Sequence, residues 1–211
     1  MERTRPALVG LALALALAST ACTPVPNRSG APPVDVTGEP EQTAPTNAPV
    51  TFERKGWSWT ITPRAHYVVR GLVLSRETYR MDSNAMLSPC DLALAWGPLV
   101  AQDAYKEASF SQSSRWYLWQ LPAGAKLDND FIADHSANTH VIPATENVAR
   151  AACGLSAGDR VELEGDLVDV KGAKGERWFE WHSSQSRHDR GAGSCEVMYV
   201  RRVTHHGDVF E

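Results

Sequence analysis

Beyond residue 18 the 211-residue sequence has no long hydrophobic run, which excludes a bundle of membrane-spanning helices. Clustered basic charge is also missing. The only notable pair is Arg201-Arg202, and binding to a phosphate backbone needs more. Nucleic acid is therefore not an expected partner. There is no His-Glu-x-x-His, no Cys-x-x-Cys and no Gly-x-Ser-x-Gly, so neither a metal, a cofactor nor a serine elbow has support in a motif. No internal repeat is visible. Aromatic residues are wholly absent from 23–49, and a core cannot nucleate there.

The N-terminus is an export address. Arg3 and Arg5 precede a 12-residue apolar stretch, Ala7 to Ala18, too short to span a bilayer. Ser19, Thr20 and Ala21 supply a cleavable end, so residues 1–21 are expected to be removed. The segment Leu17-Ala-Ser-Thr-Ala-Cys22 resembles the lipobox of bacterial lipoproteins. That resemblance implies a diacylglycerol thioether on Cys22 and a membrane anchor, whereas ordinary small-x-small cleavage would cut the same bond without lipid. Residues 22–50 then read as a disordered tether. Seven of the 13 prolines lie there, and the 27 residues of 23–49 would reach roughly 84 Å as polyproline II or about 29 Å as a coil. The expected location is the cell envelope, facing the periplasm or the exterior.

Loss of Arg3, Arg5 and Glu2 from 21 basic and 25 acidic residues leaves 19 and 24, a net charge of −5. Three cysteines remain besides Cys22: Cys90, Cys153 and Cys195. Export permits one bridge and one buried thiol, with three pairings open.

From residue 51 to 203 the dominant period is two. Trp57, Trp59 and Ile61 alternate with small or polar residues, Leu92, Leu94 and Trp96 share a strand face, and 115–120 has the aromatic density of a strand. Val161, Leu163 and Leu167 alternate with acidic residues, and the turn 171–175 leads into a returning arm, 177–181. Gly71 and Gly165 inside strands mark bulges or close approaches. One short helix is expected at 145–153, capped by Thr145 and ended by Gly154, with a turn at 127–133. The expected fold is mainly β, a single small closed or partly closed barrel of OB-like form, with 204–211 a frayed tail.

Two polar segments carry the candidate chemistry, 135–143 and 182–196. A hydrolase would draw its nucleophile from Ser183, Ser184 or Ser186, its base from His140 or His182 and its orienter from Asp189, or would use Cys195 with a histidine. The alternative is that Ser, Asp and Arg satisfy one another and the loop backbone, with Arg187 paired to Asp189 or Glu196. The latter reading is preferred: a non-enzymatic binding or assembly module that uses Asn138, His140, Ser183, Ser184, Arg187 and Asp189 to engage an envelope protein or polymer. His135 and His140 have poor ligand spacing, and His205-His206 falls in the expected tail.

Six blocks resemble a group of uncharacterised exported bacterial proteins: 88–98 (Ser-Pro-Cys-Asp-Leu-Ala-Leu-Ala-Trp-Gly-Pro), Gln112 with Arg115-Trp-Tyr117, 136–144, Gly158-Asp159, Leu163 to Val168, and Ser183 to Glu196. The resemblance implies a single exported β-rich domain over roughly 67–203 and no particular reaction. The group's pattern includes a cysteine at 195 but not at 90 or 153. It thereby implies a Cys90–Cys153 bridge and a buried Cys195 belonging to the loop.

Overall fold

The computed structural model describes residues 23–81 and 84–211. The export segment 1–21 and the lipidation site Cys22 lie outside the described residues. Period-two alternation becomes strand wherever it was expected. In chain order the elements are β1 (Arg28–Ser29), β2 (Glu41–Thr43), β3 (Val50–Arg54), β4 (Trp57–Thr78), β5 (Cys90–Ala95), α1 (Pro98–Ala101), β6 (Ser109–Ser113) and β7 (Trp116–Gln120). There follow α2 (Asn129–Asp134), β8 (Ser136–Pro143), α3 (Glu146–Gly154), β9 (Arg160–Lys174), β10 (Arg177–His182), β11 (Glu196–His205) and β12 (Asp208–Phe210).

Five of these strands pair in a ring. β4 is antiparallel to β5, β5 to β8, β9 to β11 and β9 to β4, and β8 runs parallel to β11. The result is a partly closed sheet, the five-stranded form expected of an OB-like body. β4 and β9 are long enough to serve two neighbours because they bend. β4 breaks register at Pro63/Ala65 and again at Val73/Ser75. At Gly165 the backbones of β9 and β11 come so close that a Cβ would stand 2.0 Å from Tyr199 O. The glycine is there because no side chain fits.

Tyr67, Leu92, Leu94, Leu163 and Met198 fill the ring, with α3 laid across it through Val148 and Ala152. The Thr145 side chain accepts from Val148 N at 3.1 Å, which fixes the start of α3 as the sequence predicts. The opposite faces of β4 and β5 are covered by α1, α2 and the β6–β7 hairpin through Leu99, Ile132 and Tyr117. A single short helix is thus an undercount. α1 and α2 are only 4 and 6 residues long, below the length at which helical periodicity can be read. Cys90 and Cys153 form the disulfide, tying β5 to the end of α3 across 63 positions, and Cys195 is free.

Two expectations about the ends do not hold. Residues 23–49 lie along the body instead of hanging free: Val36 is fully buried, β1 pairs with β12 and β2 with β4. Polar bonds do much of the holding. Trp96 Nε1 donates to Glu39 at 2.9 Å, and Asn47 donates to Asp166 at 3.0 Å. Residues 204–211 form the end of β11 and all of β12, with Phe210 buried against the ring.

Candidate functional site

The β6–β7 hairpin turns on Ser114 and Arg115, both at positive φ (53° and 68°). Such a turn suits the right-handed twist of a hairpin but favours Asn or Gly. Here a polar network holds the unfavourable residues. Arg115 N donates to Tyr79 Oη at 3.1 Å, and its carbonyl accepts from Asn138 Nδ2 at 3.1 Å. Its guanidinium donates to Asp91 Oδ1 at 3.0 Å and to Ser88 O at 2.9 Å, while lying over the Tyr79 ring. Asp91 is completely buried on β5 and also accepts from Tyr79 Oη at 3.0 Å. Burial of the Tyr79 phenol itself, with the Asp91 charge beside it, pushes that phenol well above its ordinary range. His140 Nδ1 stands 2.9 Å from Asp91 Oδ1, too poorly aligned for a hydrogen bond, and its ring packs on Trp181.

The bend between β10 and β11 is built the same way. Arg187 pairs with Glu196 and lies over the Tyr67 ring. Ser184 Oγ donates to Asp189 Oδ2 at 2.7 Å and accepts from Ser186 N at 3.1 Å. Ser183 Oγ donates to Ser184 O at 2.9 Å and accepts from Val197 N at 3.0 Å. Arg190 and His188 both reach Asp134 at the end of α2. Mutual satisfaction of polar groups fixes the bend, and Glu196 rather than Asp189 is the partner of Arg187.

Two adjoining cavities open beside this bend. One, about 280 Å³, lies between β7, the start of β8 and the bend, and is lined by Trp116, Trp119, Asn138, Arg187, Asp189 and Cys195. The other, about 490 Å³, reaches Arg115, His140 and Trp181 and shares Trp116, Gly191 and Cys195 with the first. Trp116 is half exposed on the wall between them. Of the residues expected to bind, Asn138, Arg187 and Asp189 meet in the first cavity and His140 enters the second. Ser183 and Ser184 are buried bracing residues that line neither. The sequence did not single out Trp116, Asp91 or Arg115 as site residues. The aromatic density of 115–120 was the available clue to the first, but the charge partners come from separate elements.

Among the described residues a Ser184–His–Asp189 relay is not assembled. A triad needs an imidazole between hydroxyl and carboxylate, whereas Ser184 meets Asp189 directly. Among the described residues no histidine is hydrogen-bonded to Ser184 or Cys195. Burial pushes the Cys195 thiol up to about 11, against the contact it accepts from Asn138 Nδ2 at 3.8 Å. Iodoacetamide at pH 8 is expected to modify native Cys195 on the order of 200-fold more slowly than a free thiol, as judged by thiolate fraction alone. Labelling at the rate of the urea-unfolded chain would contradict this.

Burial also raises the Glu196 carboxyl from 4.5 to about 7, opposed by Arg187, and its Oε2 has no hydrogen-bond partner. The folded protein therefore keeps a proton that the unfolded chain has lost. Stability from this group is complete below about pH 4.5 and is lost as pH rises through about 7. Relative to Glu196→Gln, the wild type should lose on the order of 3 kcal/mol between pH 4.5 and pH 8 in urea melts. Parallel pH profiles would contradict the assignment.

Comparison with protein-family models, curated proteins and solved structures found no match for the chain.

Proposed function

We propose that the protein is exported, anchored by lipid on Cys22, and acts as a non-enzymatic binding module for an extended envelope glycan. The observation that carries this reading is the cleft itself. A half-exposed Trp116 lines one cavity with the planar polar groups of Asn138, Arg187 and Asp189, while the hydroxyls of Ser183 and Ser184 are tied up in bracing bonds. A sugar ring offers an apolar face to an aromatic and hydroxyls to amide, guanidinium and carboxylate, so flat apolar and fork-shaped polar groups together suit it. Fold-level analogy agrees: OB-like bodies bind oligosaccharides at the face of their second and third strands. Those are β5 and β8 in this ring, the strands that carry Asp91, Asn138 and His140. A net negative mature chain argues against nucleic acid at the same face.

The test is co-sedimentation of the mature protein with purified, insoluble peptidoglycan. The bound fraction should exceed that of an unrelated exported domain, and Trp116→Ala should weaken binding at least tenfold without changing the melting temperature. No binding above the control, or an unaffected Trp116→Ala, would contradict the reading. So would labelling of Ser184 by a serine-directed fluorophosphonate. Anchoring is tested separately: Cys22→Ser should release the protein from the membrane fraction, and retention would contradict it.

A further inference from the structure

His205 and His206 are neighbours in sequence, and regular strand geometry would send their side chains to opposite faces. The structure prevents that. His205 ends β11 and pairs with Asp208, so that His206-Gly207 is the two-residue turn into β12. His206 sits at φ 52°, a conformation more natural to Asn or Gly, and its ring lies 4.0 Å from that of His205. Both imidazoles then face Asp159. His205 Nε2 is 3.4 Å from Asp159 Oδ2, and His206 Nε2 is 3.7 Å from Asp159 Oδ1. One donor atom from each of the three residues lies within 4.8 Å of the others.

Asp159 is held firmly. Its carboxylate accepts from Ser156 N at 2.7 Å, and its carbonyl accepts from Val73 N on β4 at 2.8 Å. His205 is held by its pairing with Val161 on β9, yet its Nε2 is buried without a hydrogen-bond partner. A buried imidazole nitrogen 3.4 Å from a carboxylate oxygen, with no aligned hydrogen bond to it, is an unfinished polar arrangement. A metal ion would finish it. Two ligands at about 2.0–2.1 Å from a tetrahedral ion stand about 3.4 Å apart, close to the separations seen.

We propose that Asp159, His205 and His206 form a binding site for a borderline divalent transition ion, with Zn²⁺ as the fitting case. The donor set, two imidazole nitrogens and one carboxylate oxygen, suits Zn²⁺ and Ni²⁺ and does not suit Mg²⁺ or Ca²⁺, which take oxygen ligands. Three protein ligands leave a coordination position for water. The ion clips the turn before β9 to the β11–β12 hairpin, and so fastens the C-terminal strand to the ring. The site is separate from the cleft beside β7, and no residue is common to both.

The probe is Zn²⁺, titrated calorimetrically into the chelator-treated mature protein, with Mg²⁺ as control. One Zn²⁺ should bind per chain and raise the melting temperature, and Mg²⁺ should do neither. His206→Asn keeps a residue suited to the left-handed turn, and Asp159→Asn keeps an oxygen acceptor for Ser156 N. Each should fold with the wild-type melting temperature in the absence of metal and weaken Zn²⁺ binding at least tenfold. The exposed pair His182 and His188 serves as the counter-test, since their substitution by Ala should leave Zn²⁺ affinity unchanged. Failure to bind Zn²⁺, full affinity in both His206→Asn and Asp159→Asn, or loss of affinity on removing His182 and His188 would overturn the proposal.

Discussion

Replacing Arg115 by methionine should lower the unfolding free energy by about 3–5 kcal/mol, the cost of stranding a buried charge. Asp91 has no solvent contact, and its carboxylate is shared by Arg115 at 3.0 Å, Tyr79 at 3.0 Å and His140 at 2.9 Å. Methionine keeps much of the apolar stem and removes the guanidinium alone. Among the described residues Tyr79 Oη then remains the hydrogen-bond donor to the buried carboxylate, and Ser88 O loses the donor supplied by Arg115. The left-handed backbone at Arg115 would also lose support, so Trp116, the next residue, should become more mobile. Urea unfolding measures the first effect and Trp116 fluorescence anisotropy the second. Replacing Asp91 by leucine in the same chain should recover part of the loss, because the uncompensated charge is gone. A loss below about 1 kcal/mol for Arg115→Met would mean that the pair is dispensable.

Removing the disulfide, as Cys90→Ala with Cys153→Ala, should cost about 4 kcal/mol on the chain-entropy account of a 63-residue separation. The bridge joins the buried β5 to the end of α3, so its loss frees the unfolded chain without opening an exposed patch on the folded one. In a domain this size the fall in melting temperature should be roughly 10 °C. Dithiothreitol should reproduce the effect in wild type and do nothing to the double variant. A wild-type melting temperature insensitive to reductant would contradict the account. Cys195 cannot substitute as a partner, since its sulfur lies in the cleft beside Asn138.

What the sequence made legible follows from short-range periodicity. Trp59 and Ile61 on β4, Leu92 and Leu94 on β5, and Leu163 and Leu167 on β9 all alternate, and all are buried. Thr145 capped α3 as expected because capping is decided within four residues. The alternation of Trp57, Trp59 and Ile61 stops at Pro63 and Arg64, and a bulge carries β4 through them. The N-terminal stretch was misjudged for a different reason. Its attachment rests on Val36, on the two- and three-residue pairings of β1 and β2, and on polar bonds from Trp96 to Glu39 and from Asn47 to Asp166, and none of these leaves a compositional trace. The three residues of β12 are too few to announce a strand, so the sequence places His205 and His206 in a tail.

The site divides along the same line. Arg187 and Glu196 are nine positions apart in one bend, so the sequence offers Glu196 as a partner alongside Asp189. Asp91, Arg115, Tyr79 and His140 come from a strand, a turn, a strand end and another strand, and only the ring's closure brings them together. Trp116 gains its place on the cleft wall through the network around Arg115, which acts on its position and not on a ligand.

The central claim is that the bend between β10 and β11 is a fixed wall, held by its own polar bonds. Native-state amide hydrogen exchange across 183–197 tests it most directly. Ser184 N, which donates to Cys195 O, and Val197 N, which donates to Ser183 Oγ, should exchange as slowly as the β8–β11 ladder. Asp189→Asn should quicken Ser184 and leave the ladder unchanged. Exchange of both amides in wild type at the rate of an unfolded chain would mean that the bend is an open loop, and the cleft would lose the wall on which its proposed binding role depends.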